Sequence, residues 1–162
     1  MLGWLIWKDY DRLIYKSAPI SQRAYTDAQI KVFLEADRER EKEDPKFITP
    51  YTHEFQNLTA FRRGEICPLL WEDINFEEGY IYVRQEQIVD RANDNKHIIV
   101  DHTKNFKDRC YPLGDPELEL LEKLQKVHDQ YYPESPFLFP GKSDNGCITC
   151  KCVEDYHRRL CN

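Results

Sequence analysis

The stretch that most constrains this chain is residues 58–76, which read LTAFRRGEICPLLWEDINF. Two adjacent arginines, Arg62 and Arg63, precede Glu65, and the apolar residues after them recur at roughly helical spacing. This layout places Arg62 at the start of a helix, where unpaired backbone N–H groups and the helix dipole attract anions. An arginine in that position can clamp a phosphate.

The same stretch resembles the first signature of the tyrosine recombinases, the phage integrase family. That signature reads roughly T-G-L-R-x-x-E followed by L-x-W-x-D-I, and here residues 59–65 read TAFRRGE and residues 70–74 read LWEDI. The resemblance implies that Arg62 binds the scissile phosphate of DNA and that Glu65 is its structural partner. Ala60 stands where the family usually has glycine.

Composition bears on the domain size, the DNA-binding mode and the cellular compartment of such a chain. Its 162 residues are enough for one domain with a real core. The net charge is −6 and the sequence pI is about 5.4, so DNA binding requires a local basic patch. Six cysteines without a secretory signal predict reduced thiols and a cytoplasmic protein, and no apolar run approaches the length of a membrane span. By the resemblance, the source is prokaryotic, or a phage or other mobile element.

The N-terminal residues predict a remnant of another domain. Residues 1–15 have the pattern of an amphipathic helix, which Pro19 separates from the next helical segment. By the resemblance, residues 1–24 are the last helix and linker of the DNA-clamping domain, and residues 25–162 are a partial catalytic domain. Trp4, Leu5 and Trp7 are then expected to be exposed or packed against the catalytic domain.

Helices are predicted on both sides of the arginine motif. A capping box begins at Thr26, and the charge run of residues 37–44 is interpreted as a solvated helix end. A second helix covers residues 48–61, with Pro50 tolerated in its first turn. Pro68 predicts that the helix after Arg62 is short or kinked.

Two further helices come after the central part of the chain. Asp115 as a cap and Pro116 in the first turn start a core helix, and a last helix begins near residue 148. The apolar face of this last helix, formed by Val153, Tyr156 and Leu160, is expected to stay partly exposed and to promote self-association.

In residues 79–113 the apolar residues recur at every second position, which is the spacing of a β-strand. Strands are predicted around residues 81–83, 97–102 and 109–113, separated by turn residues at 93–95 and 105–108, as an antiparallel three-stranded sheet. The fold class is α+β, mainly helical, resembling the N-terminal half of the integrase catalytic domain.

One lysine in this region is a candidate for chemistry. Lys104 falls in the predicted hairpin between the second and third strands, and the resemblance implies that it protonates the leaving 5′ oxygen. A lysine on a mobile hairpin beside a phosphate can stabilise charge or donate a proton. Lys107 is the competing choice.

The second half of the family's active site has no counterpart in these 162 residues. The family pattern continues with H-x-L-R-H and then a nucleophilic tyrosine, whereas His157 is followed by two arginines and a leucine, which stands where the pattern needs arginine. Complete members recombine DNA site-specifically through a phosphotyrosyl intermediate, and this chain is expected to be an inactive fragment. The alternative is a non-catalytic DNA-binding or protein-binding module that keeps the fold.

The expected partners come from the same resemblance. They are double-stranded DNA, bound weakly, and full-length recombinase protomers, with no membrane, no small-molecule substrate and no cofactor. Cys147, Cys150 and Cys152 form a possible zinc knuckle, but a zinc site normally has a second knuckle elsewhere, and none is present. The sequence therefore predicts no metal.

Overall fold

The structure is a computed structural model that describes residues 24–102 and 108–161. Five helices and five strands are described, together with a short 3₁₀ turn at Trp71–Asp73. The helices are α1 (Asp27–Glu43), α2 (Ile48–Thr59), α3 (Arg63–Ile66), α4 (Asp115–Tyr131) and α5 (Cys150–Leu160). The strands are β1 (Ile74–Asn75), β2 (Tyr80–Val83), β3 (Glu86–Asp90), β4 (Lys96–Val100) and β5 (Arg109–Pro112).

Helix α2 lies at the centre of the core. It contacts α1, α4 and α5, and its Tyr51 and Phe55 are fully buried. The same cluster includes Leu121 and Leu124 from α4 and Val153 from α5. Because apolar burial is the main stabilising term in folding, α2 fixes the positions of the helices packed around it.

Helix boundaries agree with the local sequence signals. Thr26 forms the expected capping box with Gln29, and Pro50 lies in the first turn of α2. Helix α2 ends at Thr59, two residues before the predicted end, because Ala60 adopts a left-handed conformation with φ 53° and ψ 26°. Helix α3 is a single turn that stops before Pro68, which confirms the prediction of a short helix.

The strand pairing differs from the prediction. A three-stranded antiparallel sheet is present, but its order is β1-β2-β5, and β4 pairs only with β3 in a separate two-stranded sheet. Asp94 and Asn95 both have positive φ, so the turn between β3 and β4 closes a tight hairpin there. The expected pairing of residues 97–102 with residues 109–113 is therefore wrong: β4 pairs with β3, whereas β5 pairs with β2.

The charge run of residues 37–44 is only partly solvated. The helix continues to Glu43, and the side chains of Asp37 and Glu41 are buried. Their carboxylates face α2, α4 and α5, where they meet His53, Lys123 and Tyr156. The run of charged residues did not reveal this burial. Asp37 and Glu41 are one helical turn apart, so both lie on the face of α1 that packs against the other helices.

The exposed face expected for the last helix is also wrong. Val153 and Tyr156 of α5 are buried, and Leu160 is half-buried. The residues of α1 and α2 cover them, and the Tyr156 hydroxyl donates a hydrogen bond of 2.9 Å to Asp37. The premise for self-association is therefore removed.

The start of α4 differs from the prediction by one residue. Gly114 rather than Asp115 is the cap, and its N–H donates to the Glu117 carboxylate at 3.1 Å. The predicted N-terminal helix, with the boundary between residues 24 and 25, lies largely outside the described residues. Within residues 24–102 and 108–161, every helix is too short or too polar to cross a membrane.

Candidate functional site

The site is built on Glu65, which is completely buried at the end of the arginine motif. Its carboxylate accepts a hydrogen bond from the Arg62 backbone N–H at 3.1 Å and another from Arg62 Nη1 at 2.9 Å. The side chain of Arg62 is 52 % exposed. One face of the Arg62 guanidinium is therefore fixed by Glu65 while the rest of it is open to solvent.

A second arginine reaches the same carboxylate from strand β5. Arg109 donates from Nη1 to Glu65 Oε1 at 3.0 Å and from Nη2 to Oε2 at 2.9 Å, which is a bidentate ion pair. Its guanidinium also lies 5.1 Å from the ring centroid of Phe61, a cation–π geometry. The Arg109 side chain is 40 % exposed, so both guanidiniums lie at the same surface.

These contacts determine the charge of the site. Burial alone would raise the pKa of Glu65, but the hydrogen bonds from Arg109 and Arg62 outweigh it and hold the pKa below its usual value. The Glu65 hydrogen bond raises the pKa of Arg109 further. One ionised carboxylate between two cations leaves one net positive charge, which attracts an anion such as a phosphate.

The backbone around α3 holds the pair in place. A Cβ atom at Gly64 would lie 2.9 Å from the carbonyl oxygen of Gln87 in β3, so only glycine allows the two segments to approach this closely. Helix α3 has four residues, and the dipole of one turn is too small to be the main source of anion affinity. The predicted attraction at a helix start is therefore supplied mostly by the arginines themselves.

The two candidate lysines lie outside the described residues. Lys104 and Lys107 belong to residues 103–107, which connect β4 to β5. The strands on either side of these residues, β4 and β5, belong to different sheets and do not pair with each other. Strand β4 is anchored by Asn145, whose amide donates to the carbonyl oxygen of His97.

A second polar cluster lies beside the arginine site, between α1, α2 and α5. Asp37 contacts His53 Nδ1 at 2.7 Å, His53 Nε2 contacts His157 Nδ1 at 2.9 Å, and His157 Nε2 contacts the Tyr25 hydroxyl at 2.8 Å. The Tyr25 hydroxyl also lies 3.7 Å from Cys161 Sγ. The chain of contacts leads from a buried carboxylate to the surface.

This cluster lines a cleft of about 660 Å³ between α2 and α5. Burial, together with the neighbouring His53 and Arg63, lowers the pKa of His157. Arg63 lines the cleft, where it forms an ion pair of 2.9 Å with Glu154, and Arg62 does not. The two adjacent arginines of the motif therefore lie in different places: Arg62 is held by Glu65, whereas Arg63 lines the cleft.

The cysteines do not converge on a point. Cys147 is buried with its Sγ 3.3 Å from the Gln87 amide, Cys150 contacts Cys67, and Cys152 is exposed beside Thr149. Across the part of the chain that the structure describes, no group of three or more His, Cys, Asp or Glu side chains could hold a metal ion.

Sequence reasoning found Arg62 and Glu65 but missed Arg109 as the second partner of Glu65. Arg109 lies 44 positions from Glu65, and nothing in the spacing of the sequence connects the two residues. The Asp37–His53–His157 chain was missed as well. It has no sequence signal, since its members come from three separate helices.

The described residues form a small α+β domain in which two partly exposed arginines are held on one buried carboxylate. Residues 23–162 match the profile described as the phage integrase family. Since the match covers most of the chain, the chain belongs to the phage integrase family. Among curated protein sequences, none matches the chain significantly.

Solved structures show the same fold. The Tn1549 transposon integrase in complex with circular intermediate DNA is similar, with a TM-score of 0.63 and 19% identity over 88% of this chain and 44% of that chain. The same integrase with transposon right end DNA gives 0.60 and 17% over 88% and 47%. XerA recombinase gives 0.57 and 17% over 89% and 44%. The predicted α+β fold class is confirmed. The present chain spans less than half the length of each of the three solved structures.

Proposed function

We propose that this chain acts in site-specific DNA recombination as part of a tyrosine recombinase. Arg62 binds the scissile phosphate of double-stranded DNA, and Glu65 holds Arg62 and Arg109 in position. Residues 25–162 form part of the catalytic domain, while residues 1–24 come from the DNA-clamping domain. The observation that carries the proposal is the pair of half-exposed guanidiniums on the buried Glu65 carboxylate.

The charge distribution supports a phosphate ligand at this point. The chain as a whole is acidic, with a net charge of −6, so non-specific attraction to DNA is weak. A local site with one net positive charge and free N–H donors can attract a DNA phosphate against the negative charge of the whole chain, but only at short range. Affinity for DNA is therefore expected to be weak and strongly dependent on salt.

The chemistry of strand cleavage needs more groups than this chain supplies. Attack by a tyrosine on a phosphodiester needs the nucleophile, positive charge on the non-bridging oxygens and a proton for the leaving oxygen. Arg62 supplies part of the charge, and Lys104 is proposed as the proton donor. In a complete family member a second arginine and the tyrosine act with them, so the 162 residues alone bind DNA without cleaving it.

Fluorescence anisotropy with a labelled DNA duplex tests the role of Arg62. The Arg62→Ala change removes a phosphate contact, so affinity should fall roughly tenfold and the slope of log K against log salt should decrease by about one. Arg40→Ala is the matched control, because Arg40 is an exposed arginine of α1 that pairs with Glu43 and does not touch Glu65. Its affinity should stay within roughly twofold of the wild type.

The outcomes separate the proposal from its alternative. Equal affinities of wild type and Arg62→Ala would contradict the phosphate role. No DNA binding by the wild type, together with binding to a full-length recombinase protomer, would favour a protein-binding module that keeps the fold. A covalent protein–DNA adduct formed by this chain on a nicked duplex would contradict its description as inactive.

A further inference from the structure

Two cysteines far apart in the chain meet behind the arginine motif. Cys67 Sγ and Cys150 Sγ are 3.7 Å apart, although 83 positions separate the residues. Cys67 follows the last residue of α3 and is completely buried, whereas Cys150 is the first residue of α5 and is partly exposed. The two sulfurs are in van der Waals contact, and both cysteines are free thiols.

Their surroundings give the two thiols different reactivity. The hydrogen bond from Cys67 and the nearby charge of Arg63 lower the pKa of Cys150. The same hydrogen bond, together with burial, raises the pKa of Cys67 well above its usual value. Cys150 is therefore the more exposed and more acidic of the two thiols, and Cys67 is the buried one that faces it.

We propose that Cys67 and Cys150 form an oxidisable pair, in which a hydroperoxide reacts first at Cys150 and Cys67 then closes an intramolecular disulfide. In the first step the Cys150 thiolate attacks the terminal peroxide oxygen, the O–O bond breaks, and the alkoxide or hydroxide leaves with a proton as an alcohol or water. In the second step the Cys67 sulfur attacks the Cys150 sulfenic acid and water leaves. Two thiols lose two hydrogens overall, and the hydroperoxide is reduced.

The other cysteines are placed less well for this reaction. Cys147, which forms a C-x-x-C pair with Cys150, is buried and its sulfur accepts a hydrogen bond from Gln87. Cys152 is exposed, and its sulfur accepts from the Thr149 hydroxyl at 3.1 Å. Within the described residues, Cys67 and Cys150 form the one sulfur–sulfur contact.

A disulfide here would join the end of α3 to the start of α5, and both segments already contact β3. Gln87 of β3 accepts a hydrogen bond from the Cys150 N–H at 2.9 Å and donates one to the Ile148 carbonyl oxygen at 3.0 Å. Gly64 of α3 lies against the carbonyl oxygen of the same Gln87. The new bond would fix the residue after α3 to the start of α5, while Gln87 of β3 contacts both segments without a covalent bond. This inference does not depend on DNA binding.

Peptide mapping after oxidation tests the pair directly. The chain is treated with hydrogen peroxide near neutral pH, remaining thiols are blocked with N-ethylmaleimide, and the protein is digested without reduction for mass spectrometry. We expect a cross-linked peptide that contains Cys67 and Cys150, and an increase in Tm of about 5 °C or more, since the bond closes a long loop. Cys152→Ser is the matched control, two residues from Cys150 on the same helix, and it should give the same cross-link and the same increase.

Variants of the two cysteines separate the steps. In Cys67→Ser, dimedone should label Cys150 at least roughly tenfold more than in the wild type, because the sulfenic acid is no longer consumed. In Cys150→Ser the cross-link and the Tm increase should both disappear. Circular dichroism and the Tm of the reduced variants test whether they are folded. If Cys67→Ser does not fold, Cys67→Ala replaces it. A Cys147–Cys150 cross-link, or peroxide reaction first at Cys152, Cys110 or Cys161, would overturn the proposal.

Discussion

Two regions of this molecule combine buried carboxylates with basic side chains, and their charges are arranged in opposite ways. At the arginine site, one buried carboxylate, Glu65, serves two arginines. Between α1, α2 and α4, two buried carboxylates, Glu41 and Glu54, share Lys123. Arg38 adds a hydrogen bond of 2.7 Å to Glu54.

Burial and the immediate partners of each carboxylate together set the direction of its pKa shift. The pKa of Glu65 is lowered, because its arginines outweigh the effect of burial. Burial and the neighbouring Glu54 raise the pKa of Glu41 to about 8, and Lys123 only partly opposes them. Glu41 Oε1 is also buried without a hydrogen-bond partner. The first region keeps its carboxylate ionised, whereas the second keeps a proton on Glu41.

The largest expected effect comes from removing the carboxylate at the arginine site. Glu65→Ala leaves two arginines without their shared partner and a cavity behind them, so the free energy of unfolding should fall by about 3 kcal/mol. Urea unfolding followed by circular dichroism measures this change. Glu72→Ala is the control, because Glu72 is an exposed carboxylate paired with Arg84, and the loss there should stay below about 1 kcal/mol. Equal losses would show that Glu65 is an ordinary surface partner.

The next effect is the pH dependence of the acidic region. The folded chain keeps a proton on Glu41 up to about pH 8, whereas the unfolded chain loses it near the ordinary value of 4.5. Stability from this group is therefore complete below that ordinary value and is lost as pH rises through 8. We expect the free energy of unfolding to fall between roughly pH 5 and pH 8, with a slope of up to about 1.4 kcal/mol per pH unit.

The Glu41→Gln variant isolates this contribution. An amide cannot lose the proton, so most of the decrease with rising pH should disappear. Glu39→Gln removes an exposed carboxylate from the same helix and should keep the wild-type slope. Burial also raises the pKa of Asp37, which leaves a residual slope at lower pH. A Glu41→Gln variant with the slope of the wild type would mean that Glu41 is ionised in the fold.

The smallest effect concerns backbone strain next to the arginine site. Ala60 has φ 53°, a conformation that costs an alanine about 1 kcal/mol and a glycine almost nothing. Ala60→Gly should therefore raise the free energy of unfolding by about 0.5 kcal/mol, after the larger entropy of the unfolded glycine chain is subtracted. Ala36→Gly, in the middle of α1, should lower it by about 1 kcal/mol. If both changes destabilise, the strain at Ala60 is absent.

The sequence predicted the arginine region better than the acidic region. Arg62, Glu65 and the short helix before Pro68 are neighbours in the chain, so local spacing is enough to place them. Glu41, Glu54 and Lys123 come from three helices, and their charges look like ordinary surface charges until the helices pack. The run of charged residues was therefore interpreted as solvated.

The strand pairing failed for a related reason. Period-two alternation identifies a strand but does not identify its partner. Residues 96–100 could pair with the strand before them or with the one after them, and the tight turn at Asp94 and Asn95 selects the earlier strand. The roles of Arg62 and Lys104 and the domain boundary at residue 24 remain predictions for mutagenesis and DNA-binding experiments to decide.

The contact between Tyr25 and the end of α5 has a consequence for protein engineering. The Tyr25 hydroxyl lies 3.7 Å from Cys161 Sγ, so the beginning and the end of the described domain are neighbours in space. A circular permutant that links these ends through a short glycine-rich tether and opens the chain at the exposed turn between β3 and β4 keeps every helix of the core intact.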